Sequence, residues 1–79
     1  MRAKLKVTEV LKTEHSEVVS FQAVSKKEGY PATGLDEDNT FAKWTPTANL
    51  TITITNPDLY GAHEPGAVFY VDFTPAPKG

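Results

Sequence analysis

Hydrophobic and polar residues alternate along several short stretches of the chain, a pattern typical of β-strands with one buried face. The clearest stretch is 49–56, where Leu50, Ile52 and Ile54 alternate with threonines. Because isoleucine and threonine are β-branched, their stiff side chains suit a pleated strand better than a helix. The pattern therefore predicts a central strand, which ends before Pro57 because proline has no amide hydrogen to donate.

The same alternation predicts further strands at 3–11, 17–25, 40–44 and 67–74. In the first of them Val10 and Leu11 are adjacent, and this break in the alternation indicates a β-bulge or a bend. A helix is the competing interpretation of that stretch. A hairpin loop is expected at 13–16, and one helical or 3₁₀ turn is expected at 58–61.

Residues 26–39 differ from the rest because they combine two glycines, a proline and an acidic cluster with little periodicity. The segment predicts a long loop, and loops of this length are usually functional or mobile. We expect it to be mobile in the isolated chain and ordered in an assembly. The candidate partner-binding residues are its large apolar and acidic side chains, with the tryptophan that follows: Tyr30, Leu35, Asp36, Glu37, Asp38 and Trp44.

Five short strands, little helix and one long loop predict a single all-β domain, a small five-stranded barrel or sandwich with a frayed tail at 75–79. A chain of 79 residues has a thin core, and this one has no cysteine that could supplement the core with a disulfide or a thiolate metal site. Small domains of this kind often gain stability by association. A homo-oligomer in the assembled state is therefore expected.

The charge and the hydropathy narrow the set of partners. The formal net charge is -2 and the lysines are scattered, whereas nucleic-acid binding usually requires a basic surface. No apolar run approaches the roughly 20 residues that a bilayer-spanning helix needs, and the first residues lack the apolar core of a signal peptide. These features make a nucleic-acid partner less favoured and predict a protein made in the cytoplasm without a membrane partner.

Candidate chemistry is sparse in this sequence. His15 and His63 lie in predicted loops, and a zinc site would need further ligands beside them. The acidic residues of 36–39 lack the alternate spacing and the glycine of an EF-hand loop. Ser16 follows His15 directly, which does not make a triad, and there is no nucleophile-elbow motif. The sequence therefore predicts a non-enzymatic protein without a catalytic residue, a metal ion or a cofactor.

The second half of the chain carries a set of turn and strand motifs. They are Asn-Thr-Phe-Ala-Lys-Trp-Thr-Pro at 39–46, Leu-Thr-Ile-Thr-Ile-Thr-Asn-Pro-Asp-Leu at 50–59, Pro-Gly at 65–66 and Phe-Tyr-Val-Asp-Phe-Thr-Pro-Ala at 69–76. Together they resemble a group of small, mostly uncharacterised proteins encoded by tailed bacteriophages, and a looser similarity extends over most of the first half. Where that group has an aromatic residue before the Pro-Gly turn, this chain has Ala62, His63 and Glu64.

The resemblance implies a phage protein, and a capsid decoration or cement protein is the preferred assignment. Such a protein would be located in the virion and would bind the major capsid protein or another virion protein. The alternative is a barrel-type accessory protein that binds single-stranded nucleic acid by stacking bases on Phe41, Trp44, Tyr60, Phe69 and Tyr70. A third hypothesis is a small inhibitor that adds an edge strand to a host target.

Overall fold

The computed structural model describes residues 1–25 and 33–78. In these ranges four strands and one short 3₁₀ helix are found. They are β1 (Arg2–Lys12), β2 (Glu17–Ala23), β3 (Asn49–Ile54) and β4 (Val68–Asp72), with the 3₁₀ turn at Pro57–Leu59 between the last two strands. The strands form one antiparallel sheet in the order β3-β2-β1-β4. The predicted all-β class with little helix is therefore confirmed.

The first two strands form the predicted hairpin. Its loop is closed by Thr13, whose N–H donates to the carbonyl oxygen of Ser16 at 2.8 Å. A β-bulge lies in β1, because Thr8 falls between the cross-strand pairs of Val7 and of Glu9. The bulge lets β1 present apolar side chains to the same face on both sides of the irregularity. The predicted break in the strand is confirmed, and the competing helix is wrong.

One face of the sheet carries the core. Its fully buried apolar side chains come from three strands and are Ala3, Leu5, Val7, Val19, Phe21 and Ile54. The described parts of the connections after β2 and β3 cover this face, with Phe41, Ala48 and Tyr60 packed against it. Glu17, which is only 2% exposed, accepts a hydrogen bond from the Gly61 N–H at 3.2 Å and so ties the second connection to the sheet. The core is a single thin layer, as the chain length predicts.

The strand at 49–56 is shorter than predicted, and its predicted central position is wrong. Among the described residues, β3 pairs with β2 alone, which places it at an edge of the sheet. The chain leaves the strand after Ile54, and Asn56 then caps the 3₁₀ turn by accepting a hydrogen bond from the Asp58 N–H at 3.1 Å. The predicted helical turn is confirmed in this segment.

The predicted strand at 40–44 is wrong, because these residues form turns and bends. The backbone N–H of Thr40 donates a hydrogen bond to the Arg2 carbonyl oxygen at 2.9 Å. The backbone N–H of Ala42 donates to the Asn39 carbonyl oxygen at 3.2 Å. Trp44 has a φ of 67°, a left-handed conformation that interrupts any extended ladder. With this strand missing, the sheet has four strands and is open in the described residues, so closure into a five-stranded barrel is not observed.

Candidate functional site

The acidic segment lies against the N-terminal end of β1, where Asn39 is its anchor. The side chain of Asn39 is fully buried, and its Oδ1 accepts a hydrogen bond from the Lys4 N–H at 2.9 Å. Its Nδ2 donates to the Val24 carbonyl oxygen at 3.0 Å and to Asp36 Oδ2 at 3.1 Å. Asn39 thus supplies hydrogen-bond partners to the backbone N–H of Lys4 in β1 and to the backbone carbonyl of Val24, which follows the end of β2. Residues 36–39 are therefore held by the sheet, while residues 26–32 of the predicted loop lie outside the described part of the chain.

Asp38 connects this segment to β4 on the face of the sheet opposite the core. Its Oδ1 accepts a hydrogen bond from the Tyr70 hydroxyl at 2.8 Å, and its Oδ2 lies 3.4 Å from Lys4 Nζ. Because the Tyr70 hydroxyl donates to this carboxylate, the pKa of Tyr70 is raised from its ordinary value. The carboxylate of Asp38 therefore has partners within the chain on both of its oxygens.

A second ion pair lies beside the first. Arg2 Nε donates to Asp72 Oδ1 at 2.7 Å, Nη2 lies 3.3 Å from Oδ2, and the guanidinium group lies 4.6 Å from the centre of the Tyr70 ring. The hydrogen bond from Arg2 lowers the pKa of Asp72, and the same bond raises the pKa of Arg2. Two of the basic side chains on this face thus have carboxylate partners, which reduces the positive potential that a nucleic acid would meet.

The Arg2–Asp72 pair leads to a titration prediction. In Arg2→Gln the pKa of Asp72 should rise towards its ordinary value, because the donor that stabilises the carboxylate is gone. Because the pKa of Asp72 is lower in the folded chain than in the unfolded chain, the carboxylate stabilises the fold at pH values above its unfolded pKa. That contribution is lost as the pH falls through its folded pKa. Carboxyl-detected NMR titration measures the shift directly. Lys6→Gln removes a charge from the same strand and should leave Asp72 unchanged; an equal shift in both variants would contradict the assignment.

The predicted partner-binding residues divide into two groups. Leu35 (58% exposed), Trp44 (49% exposed) and Glu37 lie at the surface. Asp38 is half-buried, and Asp36 is only 5% exposed. Trp44 packs against Gly34 of its own loop. The backbone N–H of Trp44 donates to the Gly34 carbonyl oxygen at 2.6 Å, and a Cβ added at Gly34 would lie 2.6 Å from the indole ring. Tyr30 lies outside the described residues. Binding by these residues stays a prediction.

A shallow apolar groove opens at the end of the core face. It has a volume of about 130 Å³ and is lined by Met1, Ala3, Leu5, Phe41, Ala48, Asn49, Leu50 and Phe73. Met1 (65% exposed) and Phe73 (56% exposed) come from opposite ends of the chain, and the Phe73 N–H donates to the Met1 carbonyl oxygen at 2.9 Å. Sequence reasoning did not find this groove. The available signal was Phe73, which continues the apolar face of β4 beyond the end of the strand.

The aromatic residues considered for base stacking do not share one surface. Phe69 packs in the core beside Phe21 and His63, with ring centres 6.2 and 5.1 Å away. Tyr70, its neighbour in β4, lies on the opposite face and is bonded to Asp38. The stacking platform that the alternative hypothesis requires is therefore not assembled from these two side chains.

No group of three or more histidine, aspartate or glutamate side chains that could hold a metal ion is found within 1–25 and 33–78. In that same part of the chain, no helix has the length and apolar character that crossing a membrane requires. Comparisons with protein-family models, with curated protein sequences and with solved structures gave no match.

Proposed function

We propose that the chain is a non-enzymatic virion component of a tailed bacteriophage, and specifically a capsid decoration or cement protein. The resemblance of residues 39–76 to phage-encoded proteins supports the origin. The apolar groove at the Met1 end of the core face carries the proposal of a binding role. The apolar side chains at the mouth of the groove are exposed, and a small domain gains stability when a partner covers such a surface.

The size of the groove indicates what it accepts. Its volume of about 130 Å³ is close to the roughly 150 Å³ of an apolar cavity that holds a benzene ring. One large apolar side chain of a shell subunit therefore fits, with Met1 and Phe73 closing on it from either side. A single buried anchor of this kind supplies much of the affinity in many protein interfaces.

The proposed partner is the major capsid protein or another virion protein, met in the virion after synthesis in the host cytoplasm. Phe41 belongs both to the groove and to the segment that carries Leu35 and Trp44. Contact with the shell can therefore extend from the groove onto the exposed side chains of that segment.

Substitution of the groove tests this proposal. In Phe73→Asp a charge replaces the exposed ring at the mouth, and binding to purified particles that lack the protein should weaken roughly thirtyfold, the equivalent of one hot-spot residue. Co-sedimentation with the particles over a range of concentrations measures the loss. Leu59→Asp is the matched control, because Leu59 is 47% exposed and does not line the groove. Equal binding by the two variants would contradict a role for the groove.

A further inference from the structure

The outer edge of β3 has the features of an edge that can pair with another strand. Among the described residues β3 pairs with β2 alone, and its register with β2 runs without a bulge from Asn49 to Ile54. Edge strands of native proteins usually carry a charge, a proline or a bulge that blocks further pairing. Residues 49–55 contain neither a charged residue nor a proline. This edge therefore lacks each of those protections.

The pairing with β2 determines which backbone groups of β3 face outwards. The Ala23 N–H donates to the Ala48 carbonyl oxygen at 3.1 Å, so the backbone of Ala48 is directed towards β2. In an antiparallel ladder this direction alternates along the strand. The residues that also face β2 are Leu50, Ile52 and Ile54, and those that direct their N–H and C=O groups away from the sheet are Asn49, Thr51 and Thr53.

A second copy of the chain matches this edge when a two-fold axis passes through Ile52. In that antiparallel register Thr51 of one copy faces Thr53 of the other, and these are the residues whose backbone groups face outwards. Ile52 faces Ile52, and Leu50 faces Ile54, on the core face. Apolar side chains thus meet apolar ones, threonines meet threonines, and no charge enters the contact.

We propose that the chain forms a symmetric dimer through the outer edges of β3, which joins two sheets into one continuous antiparallel sheet. The dimer covers Ile52, which is 43% exposed in the single chain. The edge formed by β4 does not offer the same match, because a two-fold axis at Tyr70 would place Asp72 opposite Val68 and crowd the Arg2–Asp72 ion pair. This association is a property of the chain in solution and is independent of the proposed shell partner.

Opposite charges at position 52 test the two-fold axis. Sedimentation equilibrium of the unsubstituted chain should give twice the 8.6 kDa of one chain. Ile52→Lys and Ile52→Glu each bring like charges face to face across the two-fold axis. The dimer dissociation constant of each variant alone should therefore be at least about tenfold higher than that of the unsubstituted chain. An equimolar mixture of the two should restore the dimer, because the opposed charges then attract. Circular dichroism confirms that each variant keeps the fold.

The matched control is Val68→Lys, a substitution at a side chain that is 47% exposed at the opposite edge of the sheet. It should leave the dimer intact, as should the groove variant Phe73→Asp, so the dimer and the shell interaction can fail separately. A mass of one chain at concentrations up to about 1 mM would overturn the proposal. So would an Ile52→Lys variant that dimerises like the unsubstituted chain, or a mixture that fails to recover.

Disulfide formation tests the register, since the chain has no cysteine of its own. A non-hydrogen-bonded antiparallel pair has its Cα atoms about 4.5 Å apart, which a disulfide can bridge. Ile52→Cys should therefore give a cross-linked dimer under mild oxidation, as measured on a non-reducing gel. Thr51→Cys and Thr53→Cys place their thiols on diagonal positions and should cross-link far more slowly. Preferential cross-linking at either threonine would overturn the proposed pairing.

Discussion

Phe21→Ala is expected to lower the free energy of unfolding by about 3–5 kcal/mol, the usual cost of removing a buried phenylalanine ring. Phe21 is 5% exposed and is one of six buried apolar residues that form the core within residues 1–25 and 33–78. Its ring contacts those of His63 and Phe69 at centre distances of 6.0 and 6.2 Å, and both contacts are lost with the ring. Because domains are stable by only about 5–15 kcal/mol, this loss is a large fraction of the total stability.

Urea denaturation followed by far-ultraviolet circular dichroism measures this loss, as a shift of the midpoint at constant slope. Phe73→Ala is the matched control, since the same chemical change is made at a ring that is 56% exposed. It should cost less than about 1 kcal/mol, because little apolar surface is transferred to water. Equal losses at the two positions would show that the face carrying Phe21 is not the core.

Asn39→Ala is expected to cost about 3 kcal/mol of stability, because several polar groups lose their partner at once. The amide side chain of Asn39 bonds the Lys4 N–H, the Val24 carbonyl oxygen and the Asp36 carboxylate at 2.9–3.1 Å, and the residue is fully buried. A methyl group replaces none of these bonds. The segment 36–40 should therefore detach from β1 before the rest of the sheet unfolds.

Two measurements check this prediction together. Urea denaturation gives the loss of stability, and hydrogen exchange should show reduced protection of the Lys4 amide, whose acceptor is removed. Asn56→Ala makes the same change at an exposed cap that accepts one hydrogen bond, so it should cost about 1 kcal/mol. A Lys4 amide that exchanges equally slowly in Asn39→Ala would contradict the assigned role of Asn39.

Local patterns were sufficient for the parts of the fold that depend on neighbouring residues. The alternation in β1, β2 and β4 predicted which side chains face the core, because successive side chains of a strand point to opposite faces. The bulge in β1 was visible in the adjacent Val10 and Leu11, although the extra residue is Thr8. The hairpin loop and the 3₁₀ turn followed from short polar and proline-containing segments.

Features that depend on distant residues could not be predicted in this way. Alternation at β3 indicates one buried face but not the number of neighbouring strands, so its edge position was missed. Phe41 and Trp44 are residue types that are common in strands. The segment nevertheless forms turns, and a backbone hydrogen bond from Thr40 to the distant Arg2 holds it beside β1. The groove joins Met1 to Phe73, two residues near opposite ends of the chain, and local patterns do not link them.

The candidate partner-binding residues illustrate the same limit. An acidic cluster in a loop is usually solvated, and this general rule describes the exposed Glu37. It does not distinguish Asp36, which is buried because Asn39 draws it against β1. The distinction depends on the hydrogen bonds that Asn39 makes with Lys4, 35 residues away, and with Val24, 15 residues away, so the neighbours of Asp36 in sequence do not indicate it.

The central proposal is that this protein is part of a phage virion. Quantitative mass spectrometry of purified mature particles of a tailed phage whose genome carries this coding sequence tests it most directly. The proposed function predicts that the chain is present in many copies and in a constant ratio to the major shell protein. Its absence from washed particles, while it is present in the lysate of the infected cells, would contradict the claim.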